Sequence, residues 1–259
     1  MSLLMIGCGK MGAALLSRWA GMPHQEITVV KPSLTAVPPK VRLCNNIDLL
    51  GDATFEVIVV AVKPQLIATV LPPYQKHLAA GGCIISIAAG YSVASIEKHT
   101  GPQAVIRIMP NLPAQVGRGV TALFGNSRCS AAQLATAQAL TDAVGHTLRV
   151  DSEDTLDKVT AVAGSGPGYA FEIARCWIEA AQALGFSAVQ ARELVLNTLA
   201  GSMEMALQSD ASMDELRDSV TSKNGTTAAG LNMLRKDQII SDLFDATIKA
   251  AYQRAVELR

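Results

Sequence analysis

The chain has 259 residues, of which 49% are hydrophobic and 17% are charged. Its 22 basic side chains are balanced by 22 acidic ones, so it lacks the positive charge with which proteins hold nucleic acids or anionic membranes. At 4%, aromatic side chains on which bases could stack are also scarce. The composition therefore predicts a globular protein of one large or two modest domains, without a nucleic-acid or membrane partner.

The five cysteines are scattered along the chain, and none of them forms a C-x-x-C pair. An odd, scattered set predicts reduced, buried thiols and argues against a disulfide framework or a zinc site, so we expect no metal. The first apolar run, residues 3–6, is too short for a signal peptide, and the longest one, residues 57–62, is too short to cross a bilayer. We therefore expect a cytoplasmic protein.

Residues 1–150 alternate between short β-branched runs and helical segments. Strands are predicted at residues 3–6, 27–30, 57–62, 83–87, 105–109, 120–123 and 147–150. The earlier runs are almost continuously apolar, which is typical of parallel strands buried on both faces. Helices are predicted between them at residues 11–20, 65–71 and 131–144. This alternation predicts an α/β protein whose N-terminal domain, residues 1–150, is a Rossmann-type doubly wound sheet.

After residue 150 the β-branched runs stop, and helical signals take over. Helices are predicted at residues 156–163, 168–184, 189–207, 213–219, 227–236 and 238–258. Capping boxes at Ser187 with Gln190 and at Ser212 with Glu215 indicate two helix starts, and Gly185 indicates a helix end. Residues 151–259 are therefore predicted to form an all-α C-terminal domain.

Several of these helices are apolar around much of their circumference, as Phe171 and Trp177 show within residues 168–184. A helix that is apolar on several faces must be buried on several faces, and a domain this small cannot do that alone. We therefore expect the C-terminal helices to form the interface of a homodimer, with a higher oligomer left open. A monomeric bundle docked on the sheet is the alternative.

A G-x-G-x-x-G pattern directly follows the first predicted strand and opens the first predicted helix. In such a pattern the first glycine makes the tight turn, the second lets backbone approach a pyrophosphate, and the third lets the helix pack closely on the strand. The N–H groups at the start of the helix then point toward phosphate oxygens. An ordinary glycine turn is the alternative. The predicted dinucleotide contacts are Ile6, Gly7, Cys8, Gly9, Lys10, Met11 and Gly12.

The residues after the second predicted strand indicate which dinucleotide binds. NAD-binding domains usually carry an acidic residue there, about 20 residues after the glycine turn, to bond the ribose 2′-hydroxyl. This chain has Lys31 and Ser33 at that place, which can receive a 2′-phosphate that a carboxylate would repel. We therefore predict NADP as the cofactor, with NADPH preferred and NADH as the second choice.

The sequence offers no clear base for alcohol oxidation, which requires a group that accepts the hydroxyl proton. The four histidines stand at edges of predicted elements or in polar loops, and we expect them to be solvated surface residues: His24, His77, His99 and His146. H-E-x-x-H, G-x-S-x-G and carboxylate-pair patterns are absent from the sequence. A protonated C=N bond is a hydride acceptor that needs little proton transfer. It therefore fits a sequence without a clear general base better than an alcohol does.

Six blocks in this order resemble the pyrroline-5-carboxylate reductases, the enzymes that complete proline biosynthesis. They are residues 7–12 (GCGKMG), 61–64 (AVKP), 86–90 (SIAAG), 107–111 (RIMPN), 163–169 (AGSGPGY) and 218–231 (DSVTSKNGTTAAGL). The resemblance implies NADPH-dependent reduction of 1-pyrroline-5-carboxylate to L-proline, by hydride transfer to the protonated imine carbon. Because we expect the helical halves to interlock between subunits, we also expect a site to which both chains of the dimer contribute.

The turn at residues 222–227 is polar, contains glycine and opens a predicted helix, so its free N–H groups and the helix dipole suit a carboxylate. An ordinary helix cap by Asn224 or Thr226 is the alternative. The resemblance implies that the Thr227 hydroxyl lies near the ring nitrogen, as hydrogen-bond partner or proton donor. Because a threonine hydroxyl is a weak acid, we expect this candidate catalytic residue mainly to orient the substrate. The implied carboxylate contacts are Ser222, Gly225, Thr226 and Thr227.

The resemblance also implies which loops line the nicotinamide end of the coenzyme: Ala61, Val62, Lys63, Pro64, Ile87, Ala88 and Ala89. An asparagine near the coenzyme ribose matches Asn45 or Asn46, of which we select Asn46. Asn111 follows a predicted strand, where its side chain can face the substrate, and a turn residue is the alternative.

This chain departs from the family pattern at Lys223-Asn224, where the family usually has Pro-Gly. Asparagine tolerates a positive φ better than most residues, so we expect the turn to keep its shape.

Two rival functions differ in their sequence requirements. β-Hydroxyacid dehydrogenases carry a catalytic lysine shortly after their own S-G-x-G block, and this chain has Glu172 where that lysine is expected. A non-catalytic NADP-binding regulator would keep the glycine turn but would not need the carboxylate-binding turn.

Overall fold

The computed structural model describes residues 1–23 and 25–258, so the prediction for His24 lies outside the described residues. The chain divides into two compact units. Unit 1 comprises Met1–Pro167 and the chain from Ala250 onward, and unit 2 comprises Gly168–Lys249. The predicted division into functional domains at residue 150 stays a prediction.

The described part of unit 1 contains an eight-stranded sheet with the order β3-β2-β1-β4-β5-β6-β7-β8. Its strands are β1 Ser2–Ile6, β2 Glu26–Val30, β3 Val41–Cys44, β4 Phe55–Val60, β5 Leu78–Ser86, β6 Val105–Pro110, β7 Gly119–Gly125 and β8 Gly145–Arg149. Strands β1 to β6 are parallel, and β7 runs antiparallel to β6. The predicted α/β class with a Rossmann-type sheet is therefore confirmed, apart from this one antiparallel pair.

Strands β1 to β5 end in one row of the sheet. Ile6 of β1 pairs in register with Val30 of β2 and with Val60 of β4. Val30 pairs with Cys44 of β3, and Val60 pairs with Ser86 of β5. The strand order reverses at β1, which is where doubly wound sheets bind ligands, outside the carboxyl ends of their strands.

In the described part of unit 1, five helices lie wholly within the unit: α1 Lys10–Trp19, α2 Pro64–Val70, α3 Val93–Thr100, α4 Ala131–Asp142 and α5 Glu153–Val159. A turn of π-helix at Thr160–Gly164 follows α5. Leu3 and Met5 of β1 lie in one buried cluster with residues of α1 and α4, whereas Leu4 and Ile6 lie in another with residues of α2 and α3. Because alternate residues enter opposite cores, the strand must be apolar throughout, as its sequence indicated.

The prediction overlooked β3 and α3, and both have weak local signals. Strand β3 is a four-residue edge strand in which Arg42 is exposed, so it lacks a continuous apolar run. Helix α3 is eight residues long, and its clearest signal is Ser92, whose side chain caps the helix by accepting from the Ser95 N–H. The strand predicted at residues 57–62 ends at Val60, because the next residues lead into α2.

The prediction of a solvated surface residue is wrong for His77, which is 2% exposed. Its Nδ1 lies 2.8 Å from the Ala53 carbonyl oxygen. His77 ends a 3₁₀ turn that leads directly into β5, and its position next to this inner strand explains why polar neighbours in the sequence do not keep it at the surface. His146 is exposed as predicted, and His99 is half-buried.

All five cysteines are free thiols, with Cys8, Cys44 and Cys83 buried. Cys129 is half-buried and Cys176 is exposed, so the prediction of buried thiols is wrong for these two. Burial raises the pKa of the Cys83 thiol to about 12. Among residues 1–23 and 25–258, none of the helices combines the length and the hydropathy required to span a bilayer.

The rest of the chain is helical: α6 Gly166–Ala183, α7 Ala188–Leu207, α8 Met213–Ser219, α9 Thr226–Leu234 and α10 Ile239–Glu257. Both predicted capping boxes are present, at Ser187 with Gln190 and at Ser212 with Glu215. Gly185 follows α6 in the left-handed region, at φ +100°.

Unit 2 has little core of its own. Among its described residues, the buried ones are the small side chains Ala174, Ala191 and Val195. Large apolar side chains lie on its surface instead, including Phe171, Trp177, Leu184, Leu207 and Met233. Large apolar side chains exposed in this number, beside so few buried residues, are typical of an interaction surface.

Candidate functional site

The glycine turn leaves the sheet at the shared row of strand ends. Gly7 follows β1 with φ +80°, a left-handed conformation that favours glycine. A Cβ at Gly7 would lie 2.6 Å from Val62 Cγ1 and 2.9 Å from the Ala61 carbonyl oxygen. The turn therefore packs against the loop after β4, and no larger residue fits there. A Cβ at Gly12 would lie 3.4 Å from Ala61 Cβ, so α1 also packs closely on this loop.

Gly9 differs from Gly7 in that it faces open space. It is the N-cap of α1, with φ −79°, and a Cβ added to it would meet nothing within 4 Å in the described chain. No described side chain caps the first turn of α1, and this turn contains no acidic residue. The arrangement leaves free N–H groups beside an open approach, which is what a pyrophosphate group requires. The described residues thus fit the dinucleotide predicted from the sequence.

The charge around the turn also suits an anion. Lys31, directly after β2, donates from Nζ to the Cys8 carbonyl oxygen at 2.7 Å, so its ammonium group is held at the turn. Burial raises the pKa of the Cys8 thiol, and the positive charge of Lys31 only partly offsets this effect. Cys8 is therefore a neutral thiol at neutral pH and does not repel phosphate.

The loops that carry the other predicted coenzyme residues begin at the same row of strand ends. Lys31 follows β2, Asn45 follows β3, Ala61 follows β4 and Ile87 follows β5. Ser33 and Asn46 are exposed, and the Asn46 side chain accepts from the Leu49 N–H at 3.2 Å. The fold therefore brings the starts of these loops to one edge of the sheet, while their contacts with a dinucleotide stay predictions.

Asn111 is buried, and both ends of its side chain are bonded to backbone. Its Nδ2 donates to the Ala163 carbonyl oxygen at 2.9 Å, and its Oδ1 accepts from the Val120 N–H at 2.8 Å. The side chain thus ties the end of β6 to β7 and to the π-helical turn. A substrate contact by Asn111, which stays a prediction, would compete with these bonds.

In unit 2, the turn at the start of α9 contains the residues to which the sequence assigned the substrate carboxylate. Asn224 adopts the predicted positive φ, at +61°, so the departure from Pro-Gly keeps a left-handed residue. The Gly225 N–H donates to the Ser222 carbonyl oxygen at 3.0 Å and closes the turn. Thr226 and Thr227 form the first turn of α9, and both are exposed.

The alternative of a cap by Asn224 or Thr226 is wrong, because the N-cap of α9 is Gly225. No side chain of the described chain bonds the first turn of this helix. Its N–H groups therefore remain available to an anion. Ser222 lies against the cap: a Cβ at Gly225 would be 2.3 Å from Ser222 Oγ.

Among the helices other than α6 and α10, the helix caps distinguish the predicted binding elements from the rest. A serine caps the first turn of α3, α4, α5, α7 and α8. In α1, α2 and α9, the N-caps are Gly9, Lys63 and Gly225, and no side-chain cap bond is present among the described residues. These three helices are the ones to which the sequence assigned coenzyme or substrate contacts.

Glu172, at the position where β-hydroxyacid dehydrogenases carry a lysine, is ion-paired. Its two carboxylate oxygens accept from Arg175 at 2.6 and 2.8 Å. These bonds hold the pKa of the Glu172 carboxyl below its usual range. Glu172 is therefore a carboxylate that is paired with Arg175 on the same helix. Such a group cannot perform the role of the catalytic lysine.

Two features of unit 1 had no assigned role in the sequence: the buried residue Arg107 and the left-handed residue Gly90. An arginine inside an apolar strand is a signal for a buried ion pair, and Arg107 Nη1 indeed lies 2.6 Å from Glu153 Oε1. The contacts of Gly90 are with residues far away in the chain, so no local pattern indicates them.

Family models match both parts of the chain. A model described as pyrroline-5-carboxylate reductase dimerisation matches residues 153–258. A model described as NADP oxidoreductase, coenzyme F420-dependent, matches residues 2–90.

Similar proteins match over nearly the whole chain. The pyrroline-5-carboxylate reductase of Pseudomonas aeruginosa is 37% identical, over 98% of this chain and 95% of its own length. The solved structure of a pyrroline-5-carboxylate reductase from Coxiella burnetii has a TM-score of 0.89 and 33% identity, and covers 99% of this chain and 97% of its own. The crystal structure of Plasmodium falciparum pyrroline carboxylate reductase with NADP bound has a TM-score of 0.87 and 26% identity, and covers 100% and 98%.

Gly9→Ala and Gly7→Ala are expected to separate binding from folding. Gly9→Ala should change stability by less than about 1 kcal/mol, since its φ and surroundings accept a Cβ, yet weaken NADPH binding about tenfold or more by filling the phosphate approach. Gly7→Ala should destabilise the protein by about 2 kcal/mol or more, because of strain and backbone clash. Thermal denaturation and NADPH titration measure the two effects. Unchanged NADPH affinity in Gly9→Ala would remove the turn from the coenzyme site.

Proposed function

This chain belongs to the pyrroline-5-carboxylate reductase family, and we propose that it reduces 1-pyrroline-5-carboxylate to L-proline with NADPH. The observation that carries the proposal is that two helices begin without a capping side chain. These are α1, which begins at the glycine turn, and α9, which begins at the Gly225-Thr226-Thr227 turn. The first suits the phosphates of a dinucleotide and the second suits the carboxylate of a small acid. The chain is thus an oxidoreductase that acts on a cyclic imino acid.

Unit 1 would hold the coenzyme through residues of the shared row. The N–H groups at the start of α1 would bind the pyrophosphate, and the Lys31 ammonium at the turn would attract a 2′-phosphate. Ser33 and Asn46 are the proposed contacts for the ribose end, and the loops at residues 61–64 and 87–89 for the nicotinamide end. When bound, NADPH supplies the hydride that reduces the imine carbon.

Unit 2 would hold the substrate at the start of α9. The N–H groups of Thr226 and Thr227, in the first turn of α9, would bind the carboxylate, and the partial positive charge of the helix start would favour that anion. The Thr227 hydroxyl would bond the ring nitrogen and keep the imine in one orientation. These residues promote the reaction by positioning the substrate, since neither hydroxyl is acidic enough to be an effective proton donor.

We also propose that the chain works as a homodimer formed by its C-terminal helices. The exposed apolar side chains of unit 2 and its scarcity of buried residues support this assembly. The match of residues 153–258 to a dimerisation family supports it as well. The free thiols agree with the predicted cytoplasmic location, where thiols remain reduced.

A spectrophotometric assay tests the function directly. We expect NADPH to be consumed when the cyclic imine is added, with proline as product. A β-hydroxyacid dehydrogenase would instead reduce NADP when given 3-hydroxy acids, and a non-catalytic regulator would bind NADPH without turnover. Oxidation of 3-hydroxy acids without turnover of the imine would contradict the proposal.

Thr227→Ala is expected to lower turnover while leaving NADPH affinity unchanged. The loss of one substrate hydrogen bond of about 1–3 kcal/mol corresponds to a fall in kcat/KM of about tenfold to a hundredfold. Thr227→Ser is the matched control, because it keeps the hydroxyl and should retain most of the activity. Steady-state kinetics and NADPH titration distinguish the outcomes. If NADPH binding were lost instead, Thr227 would not belong to the substrate turn.

Lys31→Asp is expected to shift coenzyme preference from NADPH toward NADH, because a carboxylate repels the 2′-phosphate and can bond a 2′-hydroxyl. Lys31→Met is the control, since it removes the charge without adding repulsion and should produce a smaller shift. The ratio of kcat/KM for the two coenzymes measures the effect. An unchanged ratio in Lys31→Asp would exclude Lys31 from the 2′-phosphate site.

A further inference from the structure

We propose that residues 250–258, here called the 250–258 segment, position the loop after β5, residues 87–92, for coenzyme binding. The inference rests on the proposed function in one respect, the assignment of Ile87, Ala88 and Ala89 to the nicotinamide end. It concerns contacts within unit 1, to which both the loop and the segment belong.

The segment lies directly on the loop at Gly90. Gly90 is buried and has φ +66°. A Cβ at this position would lie 2.3 Å from the Leu258 carbonyl oxygen and 2.7 Å from Leu258 Cβ. The backbone of Leu258 therefore occupies the space that a side chain at residue 90 would need. Such a close approach requires glycine for two reasons, its left-handed conformation and its lack of a Cβ.

The segment is itself held in place by Tyr252. The Tyr252 hydroxyl donates to Asp154 Oδ1 at 2.6 Å. Asp154 lies in the first turn of α5, so the bond joins the segment to a helix that packs on β7. Tyr252 and Leu258 thus fix two points of the segment, one on α5 and one on the loop.

The far end of the loop is held from α5 as well. Glu153 Oε1 accepts from the N–H of Val93, the first residue of α3, at 3.0 Å. The same oxygen pairs with Arg107, which is 1% exposed. The Nε and Nη2 atoms of Arg107 have no partner among the described residues, so the charge of this buried guanidinium depends on Glu153.

The near end of the loop is held by the sheet. Ser86, the last residue of β5, is in register with Val60, and the Ala88 N–H donates to Ser86 Oγ at 3.3 Å. The loop between Ser86 and Val93 is therefore held at both ends and by Leu258 near its middle. Without Leu258, its central residues would lose a contact that keeps them in one conformation.

A loop that is ordered before the coenzyme arrives does not have to be ordered by the coenzyme. Removing the segment's contact should therefore weaken NADPH binding more than it slows the reaction at saturation. The glycine turn, the Lys31 contact and the α9 turn are untouched by the change, so the enzyme should still function when NADPH is in excess.

The experiment compares the full chain with a chain that ends at Glu257. In the coenzyme-free protein, we expect the amides of residues 87–92 to exchange hydrogen for deuterium faster in the shortened chain, while those of the glycine turn do not change. We expect the Kd and KM for NADPH to rise about fivefold or more, and kcat at saturating NADPH to change less than twofold. Tyr252→Phe in the full chain should produce a smaller change of the same sign.

A double-variant comparison isolates the contact with Gly90. Gly90→Ala introduces both backbone strain and the clash with Leu258, whereas Gly101→Ala, at φ +69° and with only the Gln75 Nε2 atom at 3.8 Å, introduces strain alone. The loss of NADPH affinity in Gly90→Ala should be partly relieved in the chain that ends at Glu257. Gly101→Ala and the shortened chain should act independently.

The results separate failure of this inference from failure of the proposed function. If the full chain does not reduce the imine, the proposed function fails, but exchange and NADPH titration still test the segment. If the full chain is active while the shortened chain keeps the same exchange rates and NADPH affinity, the positioning role is overturned. The role would also be overturned if Gly90→Ala and Gly101→Ala lowered NADPH affinity equally, and if both losses were the same in the full chain and in the chain that ends at Glu257.

Discussion

The common end of strands β1 to β5 is the constraint on which the candidate coenzyme site depends. The hydrogen bonds between parallel strands set Ile6, Val30, Cys44, Val60 and Ser86 in one row, so the residues that follow them begin at one edge. A register slip of one residue would turn each strand's apolar side chains toward the wrong core, and two filled cores oppose that slip. Packing deep in the sheet therefore determines where Gly7, Lys31, Ala61 and Ile87 lie.

Most of the architecture could be predicted from local patterns, because burial on both faces leaves continuous apolar runs. The patterns failed where that physical cause is absent. Strand β3 lies at an edge and is short, so Arg42 can face solvent and interrupt its apolar run. His77 looked like a surface residue because its neighbours in the sequence are polar, but the 3₁₀ turn that it ends is packed against the residues before β4.

The candidate site shows the same division between local and distant causes. The shapes of the glycine turn and of the turn around Asn224 follow from residue types within a few positions, so the sequence was sufficient to predict them. The bonds from Asn111 to Val120 and Ala163 join three separate segments, and the contact of Leu258 with Gly90 joins residues far apart in the chain. Nothing in a short window of sequence encodes such a pairing, which exists only once the sheet and helices have assembled.

The missing caps of α1 and α9 have a consequence for the resting protein. Glycine in place of a capping side chain costs a helix only a few tenths of a kcal/mol, but it leaves the first N–H groups without a partner from that residue. Phosphate and carboxylate oxygens would complete these turns from outside, so each ligand would supply the cap that the chain omits. In an enzyme built in this way, coenzyme and substrate make the starts of these two helices more rigid, and the same turns are most mobile when both sites are empty.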